Sequence, residues 1–332
     1  MHSEKKDVLT VGNAIVDIIY KVDEQVLYKN ELVKGGMSLV TADKANSICK
    51  GLTGAVEVSG GSAANTAVGI SKLGASVKFI GKVSHDSLGK VFRKSIVEAG
   101  VDFATKDSST ETTTANCVVL VTNDGERTMS TYLGSCVELG ANDIDADSVI
   151  NSNITYIEGY LWDSPGGKAA IRKVFNLNAS SERLSSFSLS DSFCVDRHKK
   201  DFLEITNKHV DILFANEQEI QSLFEVSNFN QALSCAQNNC GIVIVTRGAK
   251  GSVIVTPDEK YLIQPPKVSK VIDTTGAGDM YAAGFLYGYS KGYDIPRCGR
   301  LGALMSGEII SHLGARPEIN LTQFRADSLR NT

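Results

Sequence analysis

Short apolar runs closed by glycine or a small polar residue recur along this chain and alternate with stretches of helical period, and that rhythm constrains the fold more than any other feature. VLTVG after Asp7, VKFIGKV from Val77, ITYIEGYL from Ile154, FSLSDS from Phe187, VDILFANE from Val210 and GIVIVTRG from Gly241 each read as a buried strand. Between them, AANTAVGISKLG, SLGKVFRKSIVEAG, KAAIRKVFNL and KKDFLEITNKH carry apolar residues at helical spacing. Strands that are apolar on both sides need cover on both sides. The expectation is an α/β protein with a mostly parallel sheet between two helical layers. With 332 residues, 42% of them hydrophobic, the chain can fill such a core.

Two stretches break the rhythm. TTANCVVLVTNDGERTMSTYLG holds two β-rich runs around Asn123-Asp124-Gly125, and Asp-Gly accommodates the positive φ of a tight hairpin. The segment from Ile18 to Val40 also reads as extended, punctuated at Lys34 to Gly36. Together they predict a small β lid, about residues 18–40 and 110–135, that keeps water from the chemistry beneath it. No linker or repeat divides the chain, so residues 1–332 are expected to form one domain, with the SSERLSS patch near Ser180 as a loop.

The net charge is −4 and the basic residues are scattered, which leaves no footprint for a nucleic-acid backbone or an anionic membrane. The start, MHSEKKDVLTVGN, has no apolar signal core, and no run approaches a membrane span, so a cytoplasmic location is expected. Seven cysteines without a CxxC pair read as reduced, mostly buried thiols, and five histidines fall outside metal-ligand spacing.

DTTGAGDMYAAGF, from Asp273 to Phe285, opens a helix on two glycines. Gly276 and Gly278 permit tight turns and close approach of a ligand. The first N–H groups of the helix are unpaired and its dipole presents positive charge, which suits a phosphate. Asp279, in the first turn, could there take a proton from a hydroxyl aimed at phosphorus. A plain turn with a capping aspartate fits the same residues. GxxxxGK[ST], HRD and DFG are all absent, which disfavours a P-loop kinase or a protein kinase.

Together with GGSAANTA at Gly60 to Ala67, DTTGAGDMYAAGFL resembles the paired signatures of the ribokinase-like, or PfkB, family of sugar and nucleoside kinases, and the resemblance spans nearly the whole chain. It implies a three-layer α/β/α sandwich with a β lid, and transfer of the γ-phosphoryl of Mg·ATP to a primary hydroxyl. After the turn at Gly276, the N–H groups of Ala277, Gly278 and Asp279 would hold the developing charge, and Asp279 would be the base. Asp17, with Asn13, in GNAIVDI would accept from sugar hydroxyls, since a carboxylate offers two acceptors to a vicinal diol. Gly60 and Gly61 would let the sugar approach, and Asn65 would donate and accept. A strand-end acid and a glycine turn are the plainer readings of these positions.

In FANEQEIQSLF, Asn216 and Glu219 form an NxxE pattern that resembles the family's motif for organising Mg²⁺ through water; an Asn216 helix cap fits equally. Thr246, Gly248 and Gly251 in TRGAKGS would lie at the ATP phosphates and ribose, or form only a hairpin. Arg127, beside the lid turn, would clamp the phosphates or remain a solvated hairpin arginine. Asp273 and Thr275 match half of the family's monovalent-cation (K⁺) site, whereas Glu318 departs from the small polar residue expected in the other half.

The opening GN…D, the lid segment VDEQVLYKNELVKGGMSL, TYLGS and YIEGYLWD resemble the adenosine-kinase branch, which implies the 5′-hydroxyl of adenosine as acceptor. Tyr160 is the favoured side chain to pack on the base, with Leu161, Trp162, Met37 and Tyr132 also available, although a plain core-packing role fits Tyr160, Leu161 and Trp162 as well. A kinase for ribose or fructose, or a silent nucleoside-binding sensor, would carry much of the same sequence. An exposed lid edge fits either a homodimer or a monomer with its edge covered.

Overall fold

The computed structural model describes residues 5–317 and 319–327 of the chain. In chain order its strands are β1 (Lys6–Val11), β2 (Ile15–Lys21), β3 (Met37–Leu39), β4 (Val56–Gly60), β5 (Val77–Ile80), β6 (Ala115–Val121) and β7 (Arg127–Tyr132). There follow β8 (Ser152–Glu158), β9 (Leu184–Ser188), β10 (Ile212–Asn216), β11 (Ile242–Thr246), β12 (Ser252–Val255) and β13 (Lys260–Ile263).

Eight of them form the main sheet in the order β13-β12-β11-β10-β9-β8-β1-β5. Neighbours from β5 to β11 are parallel, and β12 and β13 close one edge antiparallel. Alternation along each strand builds two cores. Val8, Ile212 and Ile244 pack with the helices Ser62–Lys72, Ala277–Ser290 and Ile295–Ile309, whereas Leu9, Leu213 and Val243 face Pro165–Ser181, Ser192–His209 and Glu217–Phe224. This is the expected α/β layering.

The remaining strands form a second sheet, β3-β7-β6-β2-β4. It draws on three pieces of chain rather than two, because β4, just before GGSAAN, pairs antiparallel with β2. The β6–β7 hairpin turns at Gly125, whose φ is 86°. The stretch from Ile18 to Val40 is not extended throughout. Glu24–Lys29 is helical and buries Leu27 against Tyr20 and Ile48, a tertiary contact that six residues of sequence do not announce. The SSERLSS loop is also shorter than expected, since one helix runs through Ser181 and β9 begins at Leu184.

The chain order reverses at β1, which has β5 on one side and β8 on the other. Ligands of such sheets bind beyond the carboxyl ends of the strands near that reversal. Gly12 and Asn13, Glu158, Asn216 and Thr246 all stand at those ends.

Candidate active site

Two helices begin at this end of the sheet, and each is entered through a glycine of positive φ. Gly276 (φ 77°) precedes Ala277–Ser290 and Gly61 (φ 92°) precedes Ser62–Lys72. Neither position tolerates a side chain: a Cβ on Gly276 would lie 2.8 Å from Ala315 Cα, and one on Gly61 2.2 Å from Asn13 O. The helices themselves touch closely, with the Cβ position of Gly69 2.6 Å from Ala283 Cβ. That contact explains the run of small residues after Asp279.

The packing brings Asp279 against the other helix, where Ser62 Oγ donates to its Oδ1 at 2.7 Å and Asn65 Nδ2 to its Oδ2 at 3.0 Å. Burial pushes the Asp279 carboxyl above the usual range, and these two donors pull it part of the way back. The N–H groups of Gly278 and Asp279 have no backbone partner among the described residues, but that of Ala277 already donates to Thr274 O at 3.2 Å. That leaves two amides at this helix start, rather than the expected three, without a backbone partner.

A cleft of about 260 Å³ opens beside Asp279, walled by Ser62, Asn216, Glu219, Thr246 and Gly276. Thr246, Ala277 and Gly278 also border a second, largely apolar cavity of about 430 Å³, closed by Gly248, Gly251 and Pro265. The two cavities meet at the helix N-terminus, which is the arrangement a nucleotide needs: a flat base in the apolar cavity, phosphates at the amides.

Asn216 and Glu219 cap each other. Glu219 N donates to Asn216 Oδ1, and Asn216 N to Glu219 Oε2, both at 2.9 Å. Burial pushes Glu219 up to about 7. Both carboxylate oxygens of Glu219 already accept from Asn216, an arrangement suited to a metal held through water. No cluster of three or more His, Cys, Asp or Glu side chains gathers as a metal site among the described residues.

On the other side, Asp17 reaches in from β2 with its carboxylate beside Gly60, where a Cβ would sit 2.9 Å from Oδ2. Burial raises its pKa to about 6 against the opposing fields of Arg127 and Arg316. Asn13 and Asn65 are both buried, at 6% and 4% exposure, and the fold assembles Asn13 and Asp17 with Gly60, Gly61 and Asn65 from two separate stretches of chain.

Arg127 is no solvated hairpin residue. Its Nη1 pairs with Asp273 and donates to Thr275 Oγ1 at 2.6 Å. Asp273 also accepts from Thr275 N at 3.0 Å and Gly314 N at 2.9 Å. Although burial alone would lift the Asp273 carboxyl, these donors and the guanidinium hold it below its ordinary range. With the charge already met by Arg127, Asp273 and Thr275 do not fit a K⁺ ion as arranged; Glu318 lies outside the described residues.

The residues proposed for a base pocket are not brought to the cleft. Tyr160 donates from its hydroxyl to Ser190 O at 3.4 Å and packs with Leu161 and Trp162 into the core on the far face of the sheet. Trp162, 1% exposed, donates to Asp201 Oδ2 at 2.7 Å. Met37 lies on the edge strand β3, and Tyr132 packs with the Leu27 and Ile48 cluster. A strand read as running on past Glu158 instead turns there into a 3-10 helix, which redirects Tyr160.

Three residues escaped the sequence reading. Ser62 follows Gly61 without further signal. Glu158, an acid closing the apolar run ITYIE, carried a visible one: at 1% exposure it accepts from Asn13 N at 2.7 Å and Ala63 N at 2.8 Å, bracing the turns at Asn13 and Gly61. Arg316 donates from Nε to Asn65 Oδ1 at 3.2 Å, a contact between positions too distant in sequence to suspect.

No helix among the described residues is long and apolar enough to cross a membrane. The five cysteines Cys117, Cys136, Cys194, Cys240 and Cys298 are buried thiols, and Cys49 and Cys235 are partly so.

The model of the pfkB family of carbohydrate kinases matches residues 44–321. The fold superimposes on the crystal structure of adenosine kinase from Sinorhizobium meliloti with a TM-score of 0.92 and 45% identity, covering 98% of this chain and 99% of that one. A probable sugar kinase from Rhizobium etli gives 0.92 and 43% over the same shares. An uncharacterized sugar kinase from Archaeoglobus fulgidus is 30% identical over 251 residues, 75% of this chain and 97% of its own length. Both signatures, the layered sheet and the glycine-opened helix carrying Asp279 thus meet in one chain, which belongs to the pfkB family of carbohydrate kinases, near its adenosine-kinase branch.

Proposed function

We propose that this kinase transfers the γ-phosphoryl of Mg·ATP to the 5′-hydroxyl of a nucleoside, adenosine first. The observation that carries the transfer chemistry is the placement of Asp279. It stands between two unpaired amides on one side and the Ser62, Asn65 and Asp17 group on the other, at the junction of the two cavities.

In this reading the acceptor's diol lies on Asp17 with Asn13 and Asn65, and Gly60 and Gly61 leave room for it. Asp279 takes the proton of the attacking hydroxyl, and a base whose pKa burial has raised is better matched to that task than an ordinary carboxylate. The N–H groups of Gly278 and Asp279 hold the charge that develops on the migrating group. Thr246, Gly248 and Gly251 seat the nucleotide. Asn216 and Glu219 would hold Mg²⁺ through its waters; the ion supplies charge neutralisation at the phosphates. Arg127 keeps the second sheet against the anion-hole loop and excludes water from that side.

Support for a nucleoside acceptor comes from the 45% identical adenosine kinase and from the strand register, which sets Cys117 and then Thr131 beside Asp17, an uncharged wall compatible with a heterocycle. One observation favours a free sugar instead: Tyr160, the side chain expected on the base, packs into the core and does not line the cleft. Turnover of Mg·ATP with adenosine, other nucleosides, ribose and fructose, measured side by side, separates the two. Adenosine should give the highest kcat/KM; ribose or fructose in first place overturns the nucleoside assignment.

A further inference from the structure

We propose that Arg316 is a positioning residue for phosphoryl transfer, fixing the Asn65 amide so that its NH2 end rather than its oxygen faces Asp279. The proposal rests on Asp279 being the base.

Arg316 follows the Ile295–Ile309 helix and approaches the site from behind Asn65. Its Nε donates to Asn65 Oδ1 at 3.2 Å, its Nη1 donates to Ser95 Oγ at 2.8 Å, and the guanidinium lies 6.0 Å from the Phe92 ring centre. Asn65 in turn donates from Nδ2 to Asp279 Oδ2 at 3.0 Å. The two ends of an amide have nearly the same shape, so its neighbours decide which way it points. Here the neighbours are opposite in kind: a guanidinium has only donors, and an ionised carboxylate only acceptors. Only one orientation satisfies both.

Among the described residues Arg316 is the one donor to that amide oxygen, so its loss leaves the oxygen unheld. A turned amide would set oxygen against the Asp279 carboxylate, which favours the protonated acid and disables the base at a pH where it now works. Ser62 holds the other carboxylate oxygen and cannot compensate. Arg316 therefore acts on the reaction through Asn65 without touching the reacting atoms.

The test compares Arg316→Gln with Arg316→Met. Gln places its amide nitrogen the same number of bonds from Cα as the arginine Nε, so a donor to Asn65 survives; Met places a methyl group there. Both remove the charge and the Ser95 bond, and both leave the other charged and titratable groups around Asp279 intact, namely Asp17 on β2, Arg127 on β7, Tyr156 and Glu158 on β8, and Asp273 on the adjoining loop. The readouts are kcat/KM against pH for whichever acceptor turns over, with KM for ATP and the thermal midpoint.

In Arg316→Met the acidic limb should move up by about one pH unit, and kcat at neutral pH should fall by about tenfold with KM for ATP unchanged. In Arg316→Gln the limb should stay near that of the parent. Equal limbs in the two variants, shifted or not, overturn the proposal, because then the charge or the fold, and not the amide, is what Arg316 controls. Should the Met variant fail to fold, Asn65→Asp serves, since it sets an oxygen against Asp279 directly; an unmoved limb there is equally fatal. Undiminished turnover in Asp279→Asn would instead remove the base assignment beneath the proposal, an outcome distinct from either.

Discussion

Arg127 on β7 donates from Nη1 to the Thr275 hydroxyl at 2.6 Å, so a strand of the second sheet is tied to the loop that opens the Ala277–Ser290 helix. The same nitrogen pairs with Asp273, whose side chain is 4% exposed. Arg127→Met leaves that carboxylate buried without its counter-charge, though Thr275 and Gly314 still bond it, and should cost roughly 2 kcal/mol of stability by urea denaturation. A loss under about 0.5 kcal/mol would mean that the pair is not held in solution. In the parent, exchanging KCl for choline chloride at equal ionic strength should leave turnover within about twofold, since Arg127 already meets the charge of Asp273.

Asp279→Asn keeps the shape of the side chain but removes the proton acceptor. Turnover should fall by about 10² to 10⁴ while KM for the acceptor changes little, as expected when an interaction serves the transition state alone. Steady-state rates across acceptor concentrations read the split directly, and near-parental kcat would take Asp279 out of the base role.

The glycines at the two helix starts should respond oppositely to alanine. Gly61→Ala must put a Cβ 2.2 Å from Asn13 O at a φ of 92°, so it should destabilise the chain by about 2 kcal/mol or more and weaken acceptor binding. Gly278 is helical with nothing within 4 Å of its Cβ position. There, Gly278→Ala should raise stability by about 0.5–1 kcal/mol from helix propensity while its methyl intrudes on the phosphate cleft and lowers kcat/KM for ATP. Urea midpoints and ATP titrations on both variants check the pair; equal loss of stability would show that Gly278 is held for its backbone rather than for the open space.

Burial pushes Glu158 up to about 7 from its ordinary 4.5. Between those values the folded chain keeps a proton that the unfolded chain has released, so this contribution to stability is full below the unfolded pKa and is lost as pH rises through about 7. Glu219, also pushed up to about 7, and Asp17, to about 6, add in the same direction. Glu158→Gln should flatten the decline by up to one proton, at most about 1.4 kcal/mol per pH unit, and should weaken acceptor binding as the Asn13 and Ala63 loops loosen. Denaturation midpoints at pH 5 and pH 8 for parent and variant test it; parallel declines would place the titration elsewhere.

Much of this was legible in the chain because the signals are local. Strand and helix periods report which side of an element is buried, and the α/β layering followed from them directly. The GAGD turn was legible for the same reason, as glycine at a helix start is a local requirement of φ. The helix at Glu24–Lys29 was not, because so short an element is stabilised by what Leu27 packs against rather than by its own residues.

The sequence by itself determined the layered sheet, the glycine-opened helix with Asp279 in its first turn, and the family signatures. Only the tertiary structure decided the partners of each polar group: Arg127 on Asp273, Glu158 on the Asn13 and Ala63 amides, Arg316 on Asn65, and Tyr160 turned into the core instead of the cleft. Backbone preference depends on neighbours in the chain, but a hydrogen bond depends on where a strand ends and how closely two helices approach. Those distances are set by packing, and no spacing along the sequence encodes them.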